Sequence, residues 1–309
     1  MSDMRSMVDF PGRAPMSEWS PRGGAILRRL ALLALTLFLS MSALGQTGRT
    51  ATGVPAWAAS EAAALRLIEA ESPDWISARA QLLRAAELGS VRAKSYLGWM
   101  SENGHGIEVD PQAAARWYAE VADAGVHEFA IKLGWMYLGV IGPDREAAER
   151  WFRHAIDAGH LPANVALASV LIADALGGLA TERVFEARSL LEIALNGGER
   201  VAAFFLARLY VEGVGGHPVM ADLGARYTRI AAEDGHAQMQ GWLALMHLKG
   251  DGVAIDRMEA AFWAAVAAGN GDPLGRKLHA ALVAELSADE RKAVMNRSLL
   301  WALDQQDRS

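Results

Sequence analysis

The sequence predicts an all-α protein, an α-solenoid of stacked helix-turn-helix hairpins, and three observations lead there. Leucines recur at Leu97, Leu133, Leu167, Leu206 and Leu243, separated by 36, 34, 39 and 37 residues. The letters LGWM stand at 97–100 and again at 133–136. Glycine closes every period, at Gly125, Gly159, Gly198, Gly235 and Gly271. A period of this length marks one supersecondary unit that buries its apolar face only by stacking on its neighbours.

In chain order, residues 1–45 read as a leader, 46–59 as a linker, 60–271 as the solenoid and 272–309 as capping helices. In the leader, Arg22, Arg28 and Arg29 precede the uncharged run LALLALTLFLSMSALG at 30–45. As a helix that run spans about 24 Å, short of the about 30 Å hydrocarbon core, which favours a signal peptide over a permanent span. Ala43 and Gly45 are small residues at −3 and −1 of a cut before Gln46. The alternative is an uncleaved inner-membrane anchor through residues 25–45, with the repeats outside the cytoplasm. Met4, Met7 and Met16 are alternative starts within the long n-region.

A first helix is expected from Ser60 to Glu71, then a partial repeat whose second helix is ARAQLLRAAELG at 78–89. Five full copies tile 91–271. In each, helix A places a small or apolar residue four before the leucine, on one face with it: Ala93, Phe129, Ala163, Ala202 and Met239. The leucine fills the hairpin core, the glycine of LGWM permits close helix contact, and its methionine completes the buried side. Glycines then turn the chain. Helix B opens on Asp110, Asp144 or Asp256, seven residues before Trp117, Trp151 or Trp263, and each carboxylate is expected to cap free N–H groups. Four residues past the tryptophan register stand Val121, Ala155, Ala194, Ala231 and Ala267, small enough for close helix approach. The closing glycines fit the left-handed position beyond a helix C-terminus. Two capping helices, about 274–286 and 288–304, finish the chain, the second opening on the Ser287/Glu290 capping box.

The run AKSYLGWMSENGHGIEVDPQAAARWYAEVADAG at 93–125 resembles the Sel-1-like repeat, a relative of the tetratricopeptide repeat, through Ala93, Leu97, Gly98, Gly104, Gly106, Asp110, Ala114, Trp117, Tyr118, Ala122 and Gly125. The resemblance covers about two thirds of the chain. It weakens in the third copy, with Leu190 at the aromatic position and a longer loop around 175–181, and in the fourth, with Met220 at the aspartate position. It implies a right-handed superhelix that works as an adaptor between proteins, often in bacterial envelope or signalling assemblies.

Composition narrows the function classes. A net charge of −6, and of −8 without residues 1–45, offers no basic face for nucleic acid. Zero cysteines exclude disulfides, thiolate metal sites and a cysteine nucleophile. HEFAI at 127–131 starts like a zinc motif, but Ile131 replaces the second ligand. GVGGHP at 213–218 and GDGVAI at 250–255 read as hairpin loops, not phosphate loops, and His160 and His236 as connectors. There is no nucleophile elbow and no P-loop. The sequon at Asn296 falls on a helix. No catalytic, metal or cofactor site is expected.

Partner contact is expected instead. Trp99, Trp135, Ser169, Arg208 and Leu245 occupy one register of helix A, about 200° from its buried centre at about 100° per residue, with Ser95 and Ile131 beside them. Trp99, Trp135, Arg208 and Leu245 form the candidate recognition strip, tryptophan and arginine being enriched at binding hot spots; packing between repeats is the competing role. The reading is an exported, non-enzymatic scaffold that binds another protein, serving signalling or polysaccharide export; the rival is an enzyme or enzyme accessory acting on envelope polymers.

Overall fold

The computed structural model describes residues 54–179 and 181–308, and the predicted leader and most of the linker lie outside them. The described residues form α-helices, with no strand among them. The described residues divide into two compact units, the first ending at Ala155 and the second starting at Ile156. The first holds α1 (Ala58–Glu69), α2 (Trp75–Glu87), α3 (Val91–Asn103), α4 (Pro111–Asp123), α5 (Glu128–Leu138) and most of α6 (Arg145–Asp157). The second holds α7 (Leu161–Leu176), α8 (Val184–Asn196), α9 (Ala202–Glu212), α10 (Ala221–Glu233), α11 (Ala237–Lys249), α12 (Arg257–Gly269), α13 (Pro273–Glu285) and α14 (Ala288–Arg308). No helix among the described residues is long and apolar enough to cross a membrane.

Consecutive helices pack as hairpins around the predicted leucines, all five of which are fully buried. Helix B contributes Val121, Ala155, Ala194, Ala231 and Ala267, also fully buried, so the small-residue register is the close-contact face. In the first two copies the aromatic landmark needs shifting by one residue, whereas Trp263 in the fifth is buried as it stands. Trp117 and Trp151 are half-buried, and the side chains sealed in the core are Tyr118 and Phe152. Their rings lie where LGWM has no side chain: a Cβ on Gly98 would come 2.4 Å from Tyr118 Cε1, and one on Gly134 2.4 Å from Phe152 Cε1. Copy two shifts likewise on helix A. Ala130 is buried in place of half-buried Phe129, whose ring turns onto Tyr118 of the preceding hairpin, 5.0 Å between centroids.

The aspartate caps form as expected. Asp110 Oδ1 accepts from the Ala113 N–H at 2.8 Å, Asp144 Oδ1 from Ala147 at 2.9 Å, and Asp256 Oδ1 from Met258 and Glu259 at 2.9 and 3.0 Å. At the other end, Gly125 at φ 97° donates to Ala122 O at 2.9 Å while Val126 donates to Val121 O at 3.3 Å. That pair of hydrogen bonds satisfies carbonyls the helix leaves open, and only glycine adopts its left-handed turn without strain.

Copy three departs from the common length because α7 continues to Leu176, so the loop begins at Gly177 and passes through a 3₁₀ turn at Thr181–Arg183. In copy four Met220 caps α10 with no side-chain bond. At the N-terminal end, the buried carboxylate of Glu61 accepts from Ser90 Oγ and lies 3.6 Å from Arg92, tying α1 to the start of α3. At the C-terminal end Ser287 and Glu290 form the capping box reciprocally, at 2.8 and 3.3 Å.

Candidate functional site: the outer register of helix A

The five positions of this register, the four of the candidate strip and Ser169, fall in different surroundings. On α3 the buried stripe of Ala93, Leu97 and Met100 turns Trp99 away from its own hairpin. There it meets Trp75 of α2, with centroids 5.9 Å apart, and stacks on His105 at 4.4 Å. His105 also stacks on Trp75 at 4.4 Å, so the three rings form a half-buried aromatic group at the hairpin boundary. The neighbouring loop serves the same contact: Gly106, at φ 69°, lies where a Cβ would stand 2.8 Å from the Trp75 backbone.

Trp135 on α5 takes the same register one copy later, but keeps 40% of its surface exposed. Its ring stands edge-on to Phe152 at 5.3 Å, seated on a fully buried side chain. Of the adjacent residues, Ile131 is half-buried, and Ser95 is buried with its hydroxyl donating to Arg92 O at 2.7 Å.

In the second unit, Ser169 on α7 is half-buried and donates to Ala166 O at 2.8 Å. Arg208 on α9 is only 4% exposed, its guanidinium donating to Glu212 Oε2 through Nη2 at 2.6 Å and Nε at 3.2 Å. Leu245 on α11 is half-buried. Exposure along this register therefore peaks at Trp135, while Trp99 and Arg208 spend their side chains on contacts within their units.

A second group of residues had no signal in the repeat pattern. His217, from the loop GVGGHP, is 3% exposed, between Tyr210 at 4.7 Å and Phe185 at 5.6 Å. Its Nδ1 lies 3.1 Å from Pro218 O, and its buried Nε2 has no hydrogen-bond partner. Burial holds the imidazole below its ordinary range, with the nearby Arg188 adding to the effect and the Pro218 carbonyl and Glu192 opposing it. Tyr210 stacks on Tyr227 at 5.6 Å and donates to Glu192 Oε1 at 3.4 Å, and desolvation raises both phenols. The clue in the sequence is negative: this loop has three glycines and a His-Pro where three other copies end in a capping aspartate.

The residues weighed for catalysis are dispersed. His127 occupies the N-cap position of α5 with no side-chain capping bond and lies 6.2 Å, ring to ring, from His154, whose Nε2 is 4.0 Å from Asp123. His160 and His236 sit at helix starts, between the closing glycines and α7 and α11. Among the described residues no three or more His, Asp or Glu side chains are grouped to hold a metal ion.

The Sel1 repeat family model matches residues 91–126, 127–160, 200–236 and 237–272. The unmatched stretch contains α7 and α8, the copy with the longer first helix and no core aromatic, which keeps the hairpin architecture all the same. Among solved structures, a protective antigen present in uropathogenic Escherichia coli strains, displaying an SLR fold, is similar at TM-score 0.62 and 22% identity over 78% of this chain. This chain spans about half of that antigen's length, 52%. A Sel1 repeat protein from Oxalobacter formigenes is similar at TM-score 0.56 and 23% identity, covering 71% of this chain and 88% of that one. Sel1-repeat proteins generally mediate protein–protein interaction, and their solenoid is typically a non-catalytic scaffold. With four matched repeats and the fold of such proteins, the chain is a Sel1-repeat protein.

Proposed function

We propose that this chain is an exported, non-enzymatic adaptor that binds another protein of the bacterial envelope, as a regulator of signalling or polysaccharide export. The observation that carries the binding role is Trp135. An indole 40% exposed, edge-on to a buried Phe152, offers a partner a large rigid anchor at small entropic cost. Trp99, half-buried in the same register of the preceding copy, adds apolar surface on the N-terminal side. Export rests on the charged and apolar pattern of residues 22–45, and the acidic balance of the remainder favours a partner with basic surface.

Affinity capture from envelope fractions tests the role, with wild type beside Trp135→Ala and Trp99→Ala. Trp135→Ala is expected to lose the captured protein and keep its melting temperature. Trp99→Ala is expected to lower the melting temperature, because it removes a contact shared with Trp75 and His105. A folded Trp135→Ala that retains every partner of the wild type sinks the proposal. Mass spectrometry of the purified N-terminus tests export separately: a chain beginning at Gln46 is the expected product, and an intact leader replaces export by anchoring.

A further inference from the structure

The last helix carries apolar surface that the hairpins do not use. One side of α14 is fixed to α12: Val294 is buried, and Trp301 stands edge-on to Trp263 at 6.1 Å. Arg297 pairs with Glu259 and lies over the Phe262 ring, 3.9 Å from its centroid. The other side presents Met295, Leu299, Leu300 and Leu303, each more than half exposed. At about 100° per residue Met295, Leu299 and Leu303 fall on one line with Leu300 beside it, opposite Val294 and Trp301. The end of a repeat stack ordinarily turns a polar face outward to stay soluble, and contiguous exposed apolar side chains mark an interaction site.

The charges at the two ends of this face say what covers it. Lys292 stands one turn before Met295 and Asp307 one turn after Leu303. The midpoint between them falls between Leu299 and Leu300, and so does the midpoint between Asn296 and Leu303. Turned end for end about that point, the helix sets Lys292 on Asp307 and Leu299 on Leu300, with Leu303 on Asn296 and one residue's rise from Met295, the self-complementarity that a two-fold interface requires. We propose that a second copy of this chain covers the face. The two α14 helices pair antiparallel about a dyad between Leu299 and Leu300, with Lys292 of each copy against the partner's Asp307. The leucines supply the affinity, and the exposed charge pairs set the register.

The chain contains no cysteine, so one introduced thiol reports one site. In the full-length protein, Leu300→Cys is expected to give a disulfide-linked dimer on mild oxidation, while Ile76→Cys, exposed in the first unit, stays monomeric. Lys292→Asp should weaken association in sedimentation by up to about tenfold. Adding Asp307→Lys to it should restore association. All four positions are exposed, so the variants are expected to keep the wild-type circular dichroism spectrum. A monomer at every concentration, equal cross-linking from both thiols, no effect of Lys292→Asp, or a charge swap that fails to restore pairing overturns the proposal.

Discussion

Hairpins α3/α4 and α5/α6 reach their close packing by a different division of volume from those of the second unit. In the first two, helix A gives up its side chain at Gly98 and Gly134, and helix B fills the space with Tyr118 and Phe152. In the other three, the same helix A register holds Ala168, Ala207 and Ala244, and helix B answers with Leu191, Thr228 and Ala264. Every one of these residues is buried, so one hairpin accepts either solution. Ala168 with Leu191 has nearly the volume of Gly98 with Tyr118, whereas Ala207 with Thr228 and Ala244 with Ala264 have less, and in those two copies the buried aromatic is the residue before, Tyr227 and Trp263.

Recasting copy two as copy three breaks this comparison most severely. Gly134→Ala alone forces a methyl into Phe152 and should cost about 1–3 kcal/mol. Phe152→Leu alone leaves a gap beside a bare glycine and should cost about as much, within the range of volume-reducing core changes. The double variant has the alanine–leucine pair of α7/α8, and its loss should fall well below the sum of the singles. Urea unfolding of the four proteins measures the coupling. Strict additivity would mean that the two residues do not share the contact.

The same pairing shows how far the sequence was legible. The period, the aspartate caps and the closing glycines could be read because each rests on a local rule that holds in any context. The buried aromatic could not be placed to the residue, since neighbouring positions on a helix differ by about 100° and Trp117 and Tyr118 are both large and apolar. Phe129 gave way to Ala130 for the same reason, the ring being taken up by Tyr118 of the neighbouring hairpin. On the candidate strip, helical arithmetic placed Trp135 outward correctly, but the side of a helix alone does not measure exposure. Arg208 is buried because Glu212, one turn on, pairs with its charge. His217 was beyond reach, because the path of its loop depends on Phe185 and Tyr210 from two other segments.

The caps sharpen the comparison by a smaller amount. Met220 has nearly the N-cap backbone of Asp110 and Asp256, φ −134° and ψ 100° against −137° and 93° and −145° and 106°, but no side-chain bond. Met220→Asp should therefore stabilise the protein by about 0.5–2 kcal/mol, and Asp110→Ala should cost a similar amount. Opposite shifts in the denaturation midpoint are the expected reading. If Met220→Asp gives none, the tight loop before α10 does not leave the carboxylate free to reach its N–H groups.

The smallest effect is a pH dependence confined to the second unit, where copies three and four meet around His217. Its folded-state pKa is held down by burial, so the unfolded chain takes up a proton that the folded chain refuses. Stability from this source is present above the unfolded pKa of about 6.5 and falls as pH drops from there toward the lower folded value. The groups facing the ring that bear charge are Arg188 and Glu192 on α8, with opposite effects, so neither reverses the sign set by burial. His217→Gln keeps a polar side chain but removes the titration. It is expected to lower stability at neutral pH, through lost contact with Tyr210 and Phe185, and to flatten the decline between about pH 7 and pH 5. Hydrogen exchange at α9 and α10 compared with α3 and α4 separates this from general acid weakening. Equal slopes in wild type and variant would show that the buried imidazole takes its proton without opening the loop.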